Sequence, residues 1–320
     1  MTPTAYPFLW LAGGIAALLL VASLAGWVLA QRSTTDAGRA TVENLNARVR
    51  AWWVMVAVFG AATALGTHGT TVLFALVSFF ALREFVTLTP TRPADRYALF
   101  ACFFFVLPAQ YIFVGRAWYG MFSIFIPVYG FLLLPSVMAM SGVTDAFLER
   151  VAKMQWGVVI AVYCLSHAPA LLTLGIPGFE GRNALLLLYL LVVVQMSDVF
   201  QYVVGKLMGR HKIAPTVSPS KTWEGFVGGT LLATALGGGL WWITPFTPAQ
   251  SAAMAFVVVA MGFLGGLSLS AVKRSLGAKD WGTAIEGHGG FLDRMDSVVF
   301  AAPVFFHLTR YFFAPGLLAP

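Results

Sequence analysis

The sequence predicts an all-α polytopic integral membrane protein, and three observations carry that reading. Hydrophobic residues make up 59% of the chain and charged residues only 10%, where a soluble domain carries about 25% charged residues. Apolar runs close to the roughly 20 residues that span a hydrocarbon core recur at 8–30, 51–67, 70–88, 97–115, 118–140, 154–175, 183–204, 225–244, 250–271 and 297–314. The basic residues divide unequally between the loops. With the N-terminus outside and the runs alternating, only Arg116, Arg182 and Arg310 of the 20 Lys and Arg fall on the outer side. The positive-inside rule demands such an asymmetry.

Nine or ten helices follow, the short 51–67 run deciding between them. The expected location is a bacterial-type inner membrane with the motif loops cytoplasmic. The net charge of +7 then belongs to loops beside an anionic leaflet. Nucleic acid is excluded as a partner, because no basic, aromatic-bearing soluble domain exists to hold it.

Taken in order, the first run has no basic residue before it and exceeds a signal h-region, so it reads as a retained helix. The stretch 32–52, "RSTTDAGRATVENLNARVRAW", reads as a solvated basic loop, ending at most in a short surface helix. Arg83 and Glu84, near the end of the 70–88 run, read as a helix-end pair. Cys102 and Cys164 lie in apolar runs and read as small core side chains rather than a disulfide; zinc-type spacing is absent. The amphipathic stretch 142–157 reads as a second solvated connector. His68, His167 and His307 read as isolated structural residues. Gly225/Gly229 and Gly262/Gly266 have the GxxxG spacing of helix packing. About six helices in 1–182 form an N-terminal transmembrane region, and 183–320 a C-terminal catalytic region.

Two polar segments in that second region depart from the rest, with cytoplasmic loops at 205–224 and 273–296. One helical hairpin, 225–271, separates them and brings them together in space. The second segment opens with "SAVKRSLGAKDWGTAIEGHGGFLDRMD" from Ser270. Its bases Lys273, Arg274, Lys279 and Arg294 balance its acids Asp280, Glu286, Asp293 and Asp296, so it is no simple basic anchor. Gly287, Gly289 and Gly290 around His288 let backbone approach a ligand closely. Asp293 and Asp296, three apart at a helix start, share a face. With Asp280 they suit Mg²⁺, which prefers oxygen ligands and bridges to phosphates, and the bases suit the phosphates. In the first loop, "SPSKTWEG" places Ser218, Lys221 and Thr222 just before a helix whose N-terminus favours anions; the Walker A spacing is absent. Asp198 lies inside an apolar run, where a carboxylate is costly and marks a functional candidate.

Ser270, Lys273, Arg274, Lys279, Asp280, Gly282, Ile285, His288, Gly289, Gly290, Asp293, Arg294 and Asp296 fall in the order of one long signature. In this it resembles the phosphatidate cytidylyltransferases, or CDP-diglyceride synthases. "DVFQYVVGKLMGR" and "SPSKTWEG" resemble two further blocks of that family. The sequence departs from the pattern at Glu286, where proline or a small residue is usual, at Gln201, where alanine is common, and at Ser220, where lysine is frequent.

The resemblance implies cytidylyl transfer from CTP to phosphatidate, giving CDP-diacylglycerol and pyrophosphate. It implies catalytic roles for Asp280, Asp293, Asp296, Lys221 and Lys279. Mg²⁺ would lie on the three aspartates, with a second cation open. Ser218, Lys221, Thr222, Glu224, Lys273, Arg274, Lys279, His288, Gly289, Gly290, Arg294 and Asp198 would contact substrate. The alternatives are a CTP-dependent enzyme acting on another lipid phosphate or a lipid alcohol, and an anion transporter. The expected partners are CTP, phosphatidate and membrane lipid, with a homodimer left open. A CDP-alcohol phosphatidyltransferase is disfavoured, because its acidic motif is missing.

Overall fold

The computed structural model describes residues 5–32, 35–285 and 289–314. Among them are ten helical segments: α1 (Ala5–Arg32), α2 (Asp36–Ala64), α3 (Gly66–Leu88), α4 (Pro93–Gly115), α5 (Tyr119–Ala139), α6 (Phe147–Thr173), α7 (Asn183–Met208), α8 (Trp223–Gly239), α9 (Pro248–Ser275) and α10 (Phe291–Phe313). A two-stranded antiparallel hairpin, β1 (Lys212–Ala214) and β2 (Ser218–Thr222), joins α7 to α8. Seven segments are long and apolar enough to cross a membrane: Trp10–Arg32 of α1, together with α3, α4, α5, α6, α7 and α9. The fold is therefore an all-α polytopic membrane protein. Of the other three, α8 has 17 residues, α2 opens on a polar stretch, and α10 is interrupted by Asp293, Arg294, Asp296 and Arg310.

Three sequence expectations change. The 32–52 loop is helical from Asp36, because Thr35 caps the helix by accepting from the Gly38 N–H and Ala, Arg, Glu and Leu behind it favour helix enough to offset Gly38 and the two asparagines. The 142–157 connector is already helix from Phe147. Arg150 on its inner face meets Asp95 at 2.6 Å, with both side chains under 5% exposed. Removing one partner of such a pair costs about 3–5 kcal/mol. His167 and His307 are not isolated: their Nε2 atoms lie 3.3 Å apart.

Prolines shape the middle of the bundle. Pro127 and Pro135 on α5 have no N–H to donate, which frees the carbonyls of Ser123 and Phe131 four residues earlier. Two α6 side chains take them up, Tyr163 Oη donating to the Ser123 carbonyl at 3.1 Å and Gln155 Nε2 to the Phe131 carbonyl at 2.8 Å. α4, α5 and α6 each also contain one widened turn with π-type bonding, the local adjustment expected beside such interruptions.

α7, α8, α9 and α10 pack together, and α10 also lies against α3 and α6. The core runs through Tyr189, Leu186, Val193, Leu269, Val298 and Phe305, all nearly inaccessible. α8 approaches α7 on glycine. A Cβ on Gly229 would stand 2.5 Å from the Gln201 backbone N, so this GxxxG pair serves packing as expected.

Candidate active site

Five helices meet at one end of the bundle, where α3, α7 and α9 finish and α8 and α10 begin. The β1–β2 hairpin is held there by Glu224, whose carboxylate accepts from the Arg210 N–H at 3.0 Å and from His211 Nδ1 at 2.6 Å. These hydrogen bonds, His211's first, hold the Glu224 carboxyl well below its ordinary range, at about 2. Thr222 is the N-cap of α8, its hydroxyl accepting from the Gly225 N–H at 3.1 Å. Both residues thus shape the loop in this structure. Their neighbour Lys221 points inward, its Nζ 4.5 Å from the Phe263 ring centroid.

The signature's acids separate into two groups. Asp293 is buried. Its Oδ1 accepts from Lys273 Nζ at 2.6 Å, and its Oδ2 accepts from the N–H groups of Trp281 at 2.7 Å and Gly290 at 2.9 Å. It stands at the N3 position of α10 and reaches back to the N–H of Gly290, the residue that opens the helix. Gly289, at φ +81°, makes room for it, since a Cβ there would lie 2.8 Å from Asp293 Oδ2.

Asp296, one turn further on, has other company. Ser297 donates its N–H to Asp296 Oδ1 at 2.8 Å and its hydroxyl to Asp198 Oδ2 at 3.0 Å, which couples the two carboxylates through one residue. Lys221 and Arg294 lie close enough to act electrostatically on both, and Lys273, though bonded to Asp293, also acts on Asp296. Arg294 Nε is buried without a hydrogen-bond partner, and Lys221 has no ion pair among the described residues. Gly266 faces this cluster. A Cβ there would reach 3.5 Å from Lys221 Nζ and Ser297 Oγ and 4.0 Å from Asp296 Oδ2. The GxxxG reading of Gly262/Gly266 therefore holds only in part: Gly262 packs on Ser297, while Gly266 lines the site.

The expected cluster of Asp280, Asp293 and Asp296 is not assembled: among the described residues no three His, Cys, Asp or Glu converge on one point. Asp293 is saturated by Lys273 and two N–H groups. Asp280 is exposed on the loop, on the side of Gly289 and Asp293. Lys279 is exposed and Ser218 half-buried, and Arg274 braces the loops by donating to the carbonyls of Val217 and Ala278. His288, Glu286 and Gly287 lie outside the described residues.

The sequence reading overlooked Glu84. From α3 its two carboxylate oxygens accept from the N–H groups of Phe291 and Leu292, both at 2.9 Å, so it caps α10 from another helix. A Cβ on Gly290 would run into that carboxylate, and one on Gly282 would lie 2.9 Å from it. Phe85 stacks on Trp281 at 5.4 Å and Phe80 on Phe291 at 4.8 Å. α3 thus holds the signature loop at three points. Read beside Arg83, Glu84 looks like a local pair; read like Asp198, as an acid inside an apolar run, it is a candidate.

Comparison with known proteins fits this geometry. Residues 46–312 match the Cytidylyltransferase family. The chain belongs to that family. This cytidylyltransferase is 37% identical over 302 residues to the uncharacterized protein YnbB of Escherichia coli, covering 92% of this chain and 96% of that one. It is 44% identical over 123 residues to the phosphatidate cytidylyltransferase of Mycobacterium leprae, 36% of this chain and 37% of the relative. It is 34% identical over 176 residues to that of Staphylococcus aureus, 53% of this chain and 67% of the relative. The cytidylyltransferase is thus a membrane nucleotidyltransferase whose signature residues form one saturated ion pair and one open acid–base cluster.

Proposed function

We propose that the protein transfers the cytidylyl group of CTP to phosphatidate, releasing pyrophosphate and forming CDP-diacylglycerol, at the cytoplasmic face of a bacterial-type inner membrane. The observation that carries this reading is the open cluster. Two carboxylates and a hydroxyl stand beside an ammonium without an ion pair and a guanidinium nitrogen without a hydrogen-bond partner among the described residues. Polyanions carrying a divalent cation match that set of groups.

An oxygen of the lipid phosphate attacks the α-phosphorus of CTP, and the bond to the β-phosphate oxygen breaks. Phosphatidate is already an ionised nucleophile, so no covalent enzyme intermediate is needed. The work left to the protein is positioning and charge neutralisation. Lys221 and Arg294 neutralise phosphate charge from within, and Lys279 does so from the exposed loop. Arg274 and Ser218 shape the entrance. The hard oxygens of Asp198, Asp296 and Ser297 fit Mg²⁺, with Asp280 the further acid of the loop; the bound ion would offset phosphate charge. Asp293 and Lys273 keep the loop in shape.

A second reading has its own observation. Likeness to the named phosphatidate enzymes covers only part of this chain, whereas likeness to YnbB runs along nearly all of it. Another lipid phosphate as acceptor fits that pattern. Family membership leaves the anion-transporter alternative without support. Purified protein, labelled CTP, Mg²⁺ and a panel of lipid phosphates separate these readings. Phosphatidate-dependent pyrophosphate release supports the first. Consumption of a different lipid phosphate with phosphatidate inert supports the second. Release of CDP instead would identify a kinase. For orientation, single cysteines at Ser220 and Thr283, in a background lacking Cys102 and Cys164, should resist an impermeant thiol reagent until cells are permeabilised. Labelling from outside would overturn the cytoplasmic placement.

A further inference from the structure

The far end of α10 holds a second polar cluster. Arg310 lies fourteen residues beyond Asp296, roughly 21 Å along the helix. It faces a cavity of about 200 Å³ whose walls include Phe113, Trp118, Tyr119, Leu174 and Phe306. Its guanidinium sits on the Tyr119 ring, 3.4 Å from the centroid, and meets no carboxylate at ion-pair distance among the described residues.

The groups behind Tyr119 are joined in a relay of hydrogen bonds that contains no carboxylate. The buried His167 places Nδ1 2.8 Å from the Tyr163 carbonyl, which can only accept, so Nδ1 carries the proton. In the neutral ring Nε2 is then an acceptor, and His307 Nε2, 3.3 Å away, must donate to it. That leaves His307 Nδ1 as the acceptor for the Tyr119 hydroxyl at 3.5 Å. Each bond in this relay has its donor and its acceptor, and no carboxylate belongs to it to face Arg310. A half-buried guanidinium beside an apolar aromatic cavity is costly without an anion.

We propose that this cavity binds the phosphate headgroup of an anionic phospholipid. Arg310 would be its counterion, and the start of an acyl chain would lie along Trp118 and Leu174. The site is separate from the acceptor site, and a phosphodiester headgroup has no free phosphate to become an acceptor. Charge complementarity selects this occupant, and the apolar walls distinguish it from free phosphate.

The test uses the full chain in neutral detergent. Binding is read by native mass spectrometry and by the unfolding temperature, with short-chain phosphatidylglycerol, phosphatidylcholine of equal chain length, and inorganic phosphate. Phosphatidylglycerol should bind roughly tenfold more tightly than phosphatidylcholine, the scale of one charge-assisted contact. Arg310→Gln should abolish the preference and Arg310→Lys should keep part of it. The preference should survive in Asp296→Asn, which separates this site from the catalytic end. Should Arg310→Gln fail to fold, the phospholipid co-purifying with the unaltered protein gives an independent reading: about one anionic lipid per chain supports the proposal, and a purely zwitterionic population overturns it. Equal binding of the two lipids, a preference that persists in Arg310→Gln, a preference lost in Asp296→Asn, or inorganic phosphate binding as tightly as the lipid would each overturn it.

Discussion

Asp293 and Asp296 stand three residues apart in one motif, yet their surroundings are opposite. Asp293 has both carboxylate oxygens engaged, by Lys273 and two backbone N–H groups, in a buried knot that is electrically neutral. Asp296 shares Ser297 with a second carboxylate, Asp198, beside cations that have no ion-pair partner among the described residues. The first arrangement is complete without a ligand, and the second is not. A run of charged residues in a signature is thus no inventory of catalytic groups, because part of it folds the loop that presents the rest.

Breaking each cluster should have a different effect. The largest is expected in the knot. Lys273→Met leaves Asp293 buried and uncompensated, which should lower stability by about 3–5 kcal/mol, read as a fall in unfolding temperature in detergent. Lys273→Met combined with Asp293→Leu should recover part of that loss. If the single variant unfolds like the unaltered protein, the knot is not structural. In the open cluster the expected loss is in turnover. Asp296→Asn and Asp198→Asn should each cut CTP-dependent activity by roughly 100-fold, about 2.7 kcal/mol. Stability should stay level or rise, because removing one of two neighbouring like charges relieves repulsion. An unfolding temperature that drops as far as in Lys273→Met would erase the distinction between the clusters.

Glu84 sharpens the comparison from a distance. Glu84→Gln keeps one acceptor and loses the charge, so it should cost about 1.5 kcal/mol of stability. It should lower turnover without changing the Mg²⁺ concentration for half-maximal rate, whereas Asp296→Asn should raise that concentration. The smallest effect belongs to the hairpin: Thr222→Ala removes a helix cap and should cost about 1 kcal/mol, with little change in the apparent affinity for CTP. A large affinity loss would return Thr222 to the substrate-contacting group.

Much of this fold was legible in the apolar runs, since ten candidate runs correspond to ten helices. Two amphipathic stretches were read as loops, because charge density in a membrane protein masks helical spacing. Their helicity rests on the Thr35 cap and on the partner that Asp95 gives Arg150. At the site, the two loops that the sequence singles out do meet, Arg274 of one donating to the Val217 carbonyl of the other. The sequence could not divide the acids, because Asp293 and Asp296 share a helix face whichever role each plays. An acid three residues after the glycine that opens α10 can bond back to that residue's N–H, and that spacing was the available clue. Ser297 and Gly266 carry no chemical mark, and only their position opposite Lys221 and Asp198 gives them one.

The carbonyls that Pro127 and Pro135 release on α5, and that Tyr163 and Gln155 take up from α6, have an evolutionary consequence. They fix the alignment of the two helices through backbone atoms, whose place does not depend on which side chains α5 carries. Phe131, Leu132 and Leu133, all more than half exposed on that helix, are therefore free to drift as the surrounding lipid changes, while the two helices stay in step.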